Sequence, residues 1–172
     1  INAYNFMDGI NGITGGYSLV IVGALWYVNE KIVSFADEKL IIILILSLLV
    51  FNFFNFRKKA KCFACDVGAT SVAFILIFLI GQLIIKTDDF SYLVLLAVYG
   101  VDAVLTIVHR IRLKEPLMEA HRKHMYQIMA NELKIPHIVV SLIYMVVQAV
   151  IIGGYFLVSN HYLYFAVVIV VL

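Results

Sequence analysis

The sequence predicts an all-α fold, a polytopic bundle of about six transmembrane helices, and three observations carry that expectation. Hydrophobic residues make up 63% of the 172 and charged residues only 14%, with a mean hydropathy of +1.00; soluble domains are about half apolar and about a quarter charged. The apolar residues gather in six runs, roughly 13–28, 40–56, 67–85, 91–108, 137–158 and 162 to the end. These runs lack the alternation of barrel strands, so helices are what satisfy their backbone in lipid. Some are shorter than the ~20 residues of a full crossing, which leaves their edges open. The composition excludes a soluble domain, and no internal repeat, low-complexity linker or cleavable signal pattern appears.

The segments between the runs alternate in charge. RKKAK at 57–61 holds four cations, and 109–136 holds six more: Arg110, Arg112, Lys114, Arg122, Lys123 and Lys134. Those are ten of the thirteen Lys and Arg residues. Segments 29–39, 86–90 and 159–161 hold the other three, with five of the eleven acids. The positive-inside rule puts the basic loops in the cytoplasm, and parity of crossings puts residues 1–12 on the same side. The polar motifs are therefore expected on one face.

Taken in order, the elements offer these candidates. INAYNFMDGINGITGG opens the chain, with Asn2, Asn5, Asp8 and Asn11 at every third residue and glycines between them. A step of three turns 300° on an α-helix, so these residues drift off any shared face. Glycines leave backbone N–H groups free for oxygen atoms, which suits a loop holding a nucleotide and its metal. A polar helix cap followed by glycines for close helix packing is the equal alternative. KCFACDVGATSVAF at 61–74 brings Asp66 to the start of a span. A carboxylate there suits the helix dipole and equally a hard metal. The Cys62–Cys65 pair lacks second thiols at zinc spacing, so a buried, inert pair is expected.

Asp102 lies within the fourth run and forms a stripe with Thr106 and His109 at i, i+4 and i+7. An ionisable group in a span signals function or pairing; pairing with Arg110 or with hydroxyls of another helix is expected. Gln82 and Gln148 are expected to hydrogen-bond between helices. In the basic loop HRIRLKEPLMEAHRKHMYQ (109–127), His121 and His124 would neighbour one another on a helical turn. Cations and imidazoles there suit phosphates, and binding of anionic lipid by bulk charge is the plainer alternative. The closing HYLYFAVVIVVL stops inside an apolar run and the start falls mid-motif, so the chain reads as a piece of a longer protein.

In this order and at these spacings, N-A-Y-N-F-M-D-G-I-N-G, F-A-C-D-V-G-A and H-R-K-H-M-Y-Q resemble the polyprenyl-phosphate N-acetylhexosamine-1-phosphate transferases, of the glycosyltransferase family 4 type. The third motif looks most like the undecaprenyl-phosphate GlcNAc-1-phosphate transferase branch, which initiates O-antigen or capsule-type polysaccharides. The resemblance implies a single transmembrane transferase domain of which 1–172 is the C-terminal part. It implies transfer from a UDP-N-acetylhexosamine, such as UDP-N-acetylglucosamine, to polyprenyl (undecaprenyl) phosphate in a bacterial inner membrane, with release of UMP, in cell-envelope glycan synthesis. Asn5 and Asp66 then look like ligands of Mg²⁺, with Mn²⁺ as a substitute, and Asp8 and Asp66 like the catalytic carboxylates. Asn2, Asp8, Gly9 and Asn11 would lie against the nucleotide sugar, Asn11 near the uracil, and His121, Arg122 and His124 against the diphosphate and sugar. The lipid bilayer is the expected surroundings, nucleic acid is no expected partner, and a homodimer stays open.

Three departures bear on activity. The family's Asp-Asp pair has no counterpart before Ile1, and Asp88–Asp89 falls on the opposite face. Cys65 stands where the family usually has glycine, and Ala69 where it has serine. The chain by itself is thus expected to be inactive or nearly so. Rival readings are a transporter subunit, a scaffold for anionic lipid, a degenerate paralogue that binds nucleotide sugar without turnover, and the related peptidoglycan translocase, which carries a run of histidines where this chain has HRKH.

Overall fold

The computed structural model describes residues 1–116 and 122–172, and every regular element among them is helical. A short α1 (Asn2–Phe6) leads through a turn into α2 (Ile13–Lys31). Then follow α3 (Glu38–Asn55) and α4 (Cys65–Thr87). A 3₁₀ segment (Phe90–Leu96) runs into α5 (Ala97–Arg112). After the basic loop come a single turn, α6 (Met125–Gln127), a π-helical turn (Ile128–Glu132), α7 (His137–Leu157) and α8 (His161–Val171).

The six apolar runs match α2, α3, α4, the 3₁₀ segment with α5, α7 and α8. Among the described residues, four helical stretches are long and apolar enough to cross a membrane: Glu38–Asn55, Cys65–Thr87, Phe90–Arg112 and His137–Leu157. α8 has 11 residues. α2 falls outside that set because Thr14, Gly15, Gly16, Ser18 and Asn29 interrupt its apolar run, and the same residues explain its place. It is the central helix, packed against α3, α4 and α7, with Ile13, Tyr17, Ile21, Val22, Leu25 and Val28 fully buried. Lipid removes most of the hydrophobic drive for helices to associate, so close packing and polar contacts must hold the bundle.

Those polar contacts are visible. Tyr17 and Tyr99 stack with centroids 3.7 Å apart and planes 1° from parallel, joining α2 to α5. Gln148 on α7 accepts from the Tyr17 hydroxyl (2.7 Å) and the Val98 N–H (3.2 Å) and donates to the Val94 carbonyl (3.0 Å). It thus serves backbone groups at the 3₁₀-to-α junction, where helix starts leave N–H groups unpaired. The expected interhelical role of Gln148 is met; Gln82 is instead exposed on α4. Loops are tied by local caps. Asn29 accepts from the Phe35 and Ala36 N–H groups, Asp37 caps α3 through Lys39 N–H, and Asp88 ends α4 in a left-handed conformation.

Helix direction alternates, so residues 1–12, the 56–64 loop and the 122–136 segment meet at one end of the bundle. Direct contacts confirm it: Asn11 reaches Arg57, Ser141 donates to the Asn11 carbonyl at 2.8 Å, and Tyr126 donates to the Phe6 carbonyl at 2.8 Å. Asp88 and Asp89 lie at the far end, where Asp89 faces Ser91, Tyr155 and His161.

Candidate active site at one end of the bundle

The opening motif divides between the two readings its residues allowed. Asn2 to Phe6 form α1, Met7 to Gly12 form a turn, and Gly12 caps α2 with φ 86°, a conformation that favours glycine. The Phe56 ring occupies the space where a side chain on Gly12 would begin. Gly15 and Gly16 behave as packing residues, against Phe51 and Asn52 of α3 and Met145 of α7 respectively.

Asp8 hangs in that turn, half-buried. Its Oδ1 accepts from the Thr14 hydroxyl at 2.6 Å, and its carboxylate lies near the backbone N–H of Cys65 at the start of α4. Burial pushes its pKa above the ordinary 3.8, the neighbouring Asp66 carboxylate adds to the rise, and the Thr14 hydroxyl and the nearby Cys65 N–H oppose it. Asp66 is exposed in the first turn of α4. Two segments nearly sixty residues apart in sequence therefore place two carboxylates together, with Asn5 half-buried on α1, which packs against α4. Hard oxygen donors of this kind fit a magnesium ion, which binds through one or two carboxylates and keeps several waters. Among the described residues no three His, Cys, Asp or Glu side chains gather as a metal centre.

Cys65 has φ 52°, a left-handed conformation, so the position where the resemblance expects glycine does demand glycine-like geometry. The cysteine pair is not buried as expected: Cys65 is exposed and Cys62 half-buried, both as free thiols. The Cys62 carbonyl is held by the Asn55 amide, whose Oδ1 accepts the Gly12 N–H at 2.7 Å. Asn55 thus ties the α2 start to the loop before α4. It is buried in an apolar run and was not among the candidates; a polar residue inside a span was the available signal. Asn11 donates to the Arg57 carbonyl at 2.8 Å and the Lys58 carbonyl at 3.3 Å, so its amide N–H groups secure the RKKAK loop.

Asp102 is buried at the same end. Its Oδ2 accepts from the Tyr144 hydroxyl of α7 at 2.6 Å. Its Oδ1 accepts from Met125 N–H at 3.1 Å and Thr106 Oγ1 at 3.3 Å, and it faces His124 Nδ1 at 3.3 Å. The expected pairing with hydroxyls is present; Arg110 turns instead to Glu115 and the Pro116 carbonyl, and His109 is exposed. His124, only 2% exposed, points inward as the cap of α6, whereas the loop alone suggested a surface grip on phosphate. Arg122 is exposed, and His121 lies outside the described residues, so no shared helical turn of the two histidines is described. Lys123 pairs with Glu115, whose carboxyl that hydrogen bond holds below its ordinary range.

Tyr126 is the other residue that the sequence did not single out. It is 1% exposed, and its ring and hydroxyl fill the space where a side chain on Gly9 would begin. Asn2, Phe6, Arg110 and His124 line a cavity of about 250 Å³ on the other side of α1. A second, apolar cavity of about 430 Å³ between α3 and α4 is lined in part by Thr14, which holds Asp8, and by Ala64 and Gly68, which flank Asp66 in sequence.

The fold and this end of the bundle define a class: a polytopic helical membrane protein with a carboxylate- and amide-lined polar site at the mouth of its spans. Residues 1–84 match the family model of Glycosyl transferase family 4, the phospho-sugar transferases. The match is to the family type that the motifs resemble, and it supports a polyprenyl-phosphate sugar-1-phosphate transferase in general terms. The match ends within α4, so Asp102 and the basic loop lie beyond it. No curated protein and no solved structure matches the chain.

Proposed function

We propose that this chain belongs to an enzyme that moves N-acetylhexosamine-1-phosphate from a UDP-sugar to a polyprenyl phosphate, on the cytoplasmic face of a bacterial inner membrane. The observation that carries the reading is that the Asp8 turn, held by Thr14, follows an α1 that packs against α4, whose first turn carries Asp66. In the reaction a phosphate oxygen of the lipid attacks the β-phosphorus of the donor, the bond to the bridging oxygen breaks, and UMP leaves.

Both partners are anions, and repulsion between them is the main barrier to their approach. Asp8 and Asp66, with the Asn5 amide oxygen, would hold Mg²⁺ (or Mn²⁺), which when bound neutralises charge on the phosphoryl oxygens. The Thr14 hydroxyl orients the Asp8 carboxylate before ligand arrives. Arg122, exposed at the same end, offers a cation to the diphosphate. The apolar cavity beside Thr14 and Gly68 supports an acceptor whose tail stays in hydrocarbon while its head reacts.

A degenerate paralogue is the second reading, favoured by one observation: Cys65 occupies a left-handed position that glycine fills more cheaply. The purified full-length enzyme in nanodiscs, given UDP-N-acetylglucosamine, undecaprenyl phosphate and Mg²⁺, separates the two. Release of UMP that needs all three and is lost in Asp66→Asn supports transfer; nucleotide-sugar binding without release supports the paralogue, and no binding refutes both.

A further inference from the structure

The turn that carries Asp8 and the loop that carries Arg122 are joined by residues belonging to neither role. Tyr126 donates its hydroxyl to the carbonyl of Phe6, the last residue of α1, at 2.8 Å. Its ring packs against Gly9, next to Asp8, so closely that a methyl group there would overlap it. It also stacks on His124, with centroids 6.0 Å apart and planes at 23°. His124 in turn stacks on Phe6 at 6.3 Å and 26°. The α1 end and the Asp8 turn therefore rest on the segment 124–126.

That segment rests on Asp102. Its Oδ1 takes the Met125 N–H and faces the His124 ring nitrogen, while Tyr144 and Thr106 hold the carboxylate still. A buried carboxylate is tolerated only with its acceptor capacity used. Removing it leaves the Met125 N–H and the buried Tyr144 hydroxyl without this acceptor, so the segment it gathers must shift. Contact then passes without a gap from Asp102 to Met125, Tyr126, Phe6 and Gly9, and so to Asp8.

We infer that Asp102 and Tyr126 are positioning residues that set the spacing between the Asp8 turn and the cationic loop. A diphosphate has a fixed length, and a ligand held at both ends loses affinity when the two ends are misplaced by about an ångström. The ligand half of this inference, a nucleoside diphosphate sugar held between the two segments, rests on the proposed function. The structural half does not.

The test uses the full-length protein in nanodiscs and two variants, Asp102→Ala and Tyr126→Phe. Amide hydrogen exchange is followed in peptides covering 2–9, 122–127, α3 and α8, and binding of UDP-N-acetylglucosamine with Mg²⁺ is measured by calorimetry. Asp102→Ala is expected to speed exchange in both 2–9 and 122–127 by roughly tenfold, the equivalent of one buried hydrogen bond of about 1.4 kcal/mol, with α3 and α8 unchanged. Tyr126→Phe, which keeps the ring, is expected to speed exchange in 2–9 and to raise the Kd by a similar factor. Wild-type protection of 2–9 in Tyr126→Phe overturns the inference, and that variant decides the matter if Asp102→Ala loosens the whole bundle. Faster exchange in 2–9 with an unchanged Kd overturns the part concerning affinity. Exchange coupling in the variants, together with no binding of UDP-N-acetylglucosamine by the full-length wild type, refutes the donor assignment and leaves the positioning role standing.

Discussion

Replacing Cys65 with glycine should make the protein more stable, an unusual direction for a change beside a candidate catalytic residue. Cys65 has φ 52°, where an L-residue bears a steric cost of about 1–2 kcal/mol between Cβ and the backbone. Glycine removes that cost and gives back roughly 0.5–1 kcal/mol through the greater freedom of the unfolded chain. Cys65 is exposed, so little packing is lost with its side chain. The net expectation is a gain of about 0.5–1 kcal/mol, or a rise in Tm of about 1–4 °C for a chain of this size. Thermal unfolding in detergent, followed by circular dichroism, measures it. Cys65→Ala is the control, because it removes the thiol and keeps Cβ, and it should leave Tm where it was. An equal rise in both variants would show that the thiol, and not the backbone, was the source; a fall in Cys65→Gly would refute the strain itself.

Three other expectations follow from the packing. Gly12→Ala should destabilise by about 2–4 kcal/mol, the sum of a left-handed φ and overlap with the Phe56 ring, and adding Phe56→Ala should recover only the second part; chemical denaturation of the three variants checks both. Gln148→Leu should cost about 2 kcal/mol, three hydrogen bonds at ~0.6 each, with the loss seen as faster exchange at Val98. At the far end, the Asp89 carboxyl is pushed up by burial but pulled further down by hydrogen bonds from Ser91 and His161, for a net fall below 3.8. A depressed carboxylate stabilises the fold above its unfolded pKa and loses that contribution as the pH falls through its folded one. Stability should therefore drop in the range below 3.8, and Asp89→Asn should flatten that drop; an identical acid limb in both proteins would contradict the pairing.

The convergence of the motifs is legible in the charge pattern alone, because ten cations in two loops leave one orientation that obeys the positive-inside rule. The spans are legible for a similar reason, since long apolar runs have few other fates. Asp66 could be placed at a helix start from its position after a loop. Tyr126 could not be found, because a tyrosine in a polar loop has no periodic signal, and its partners Phe6 and Gly9 lie nearly 120 residues away. His124 is buried where its cationic neighbours suggest a surface, because Asp102, 22 residues earlier, draws it inward. Asn55 was hidden by the apolar run around it. The 3₁₀ start of α5 escaped because its backbone depends on Gln148 and Tyr17 from other helices. Residues whose role is set by neighbours in sequence were readable, and those set by long-range contact were not.

The most direct test of the whole account is the electron paramagnetic resonance of Mn²⁺ titrated into the protein in nanodiscs, for the wild type, Asp8→Asn and Asp66→Asn. The account predicts one divalent-ion site, displaced by Mg²⁺ and weakened at least about tenfold by either substitution, each removing one of two carboxylate ligands. Binding that survives both substitutions unchanged would mean that the two carboxylates share no ion, and the account would fail with them.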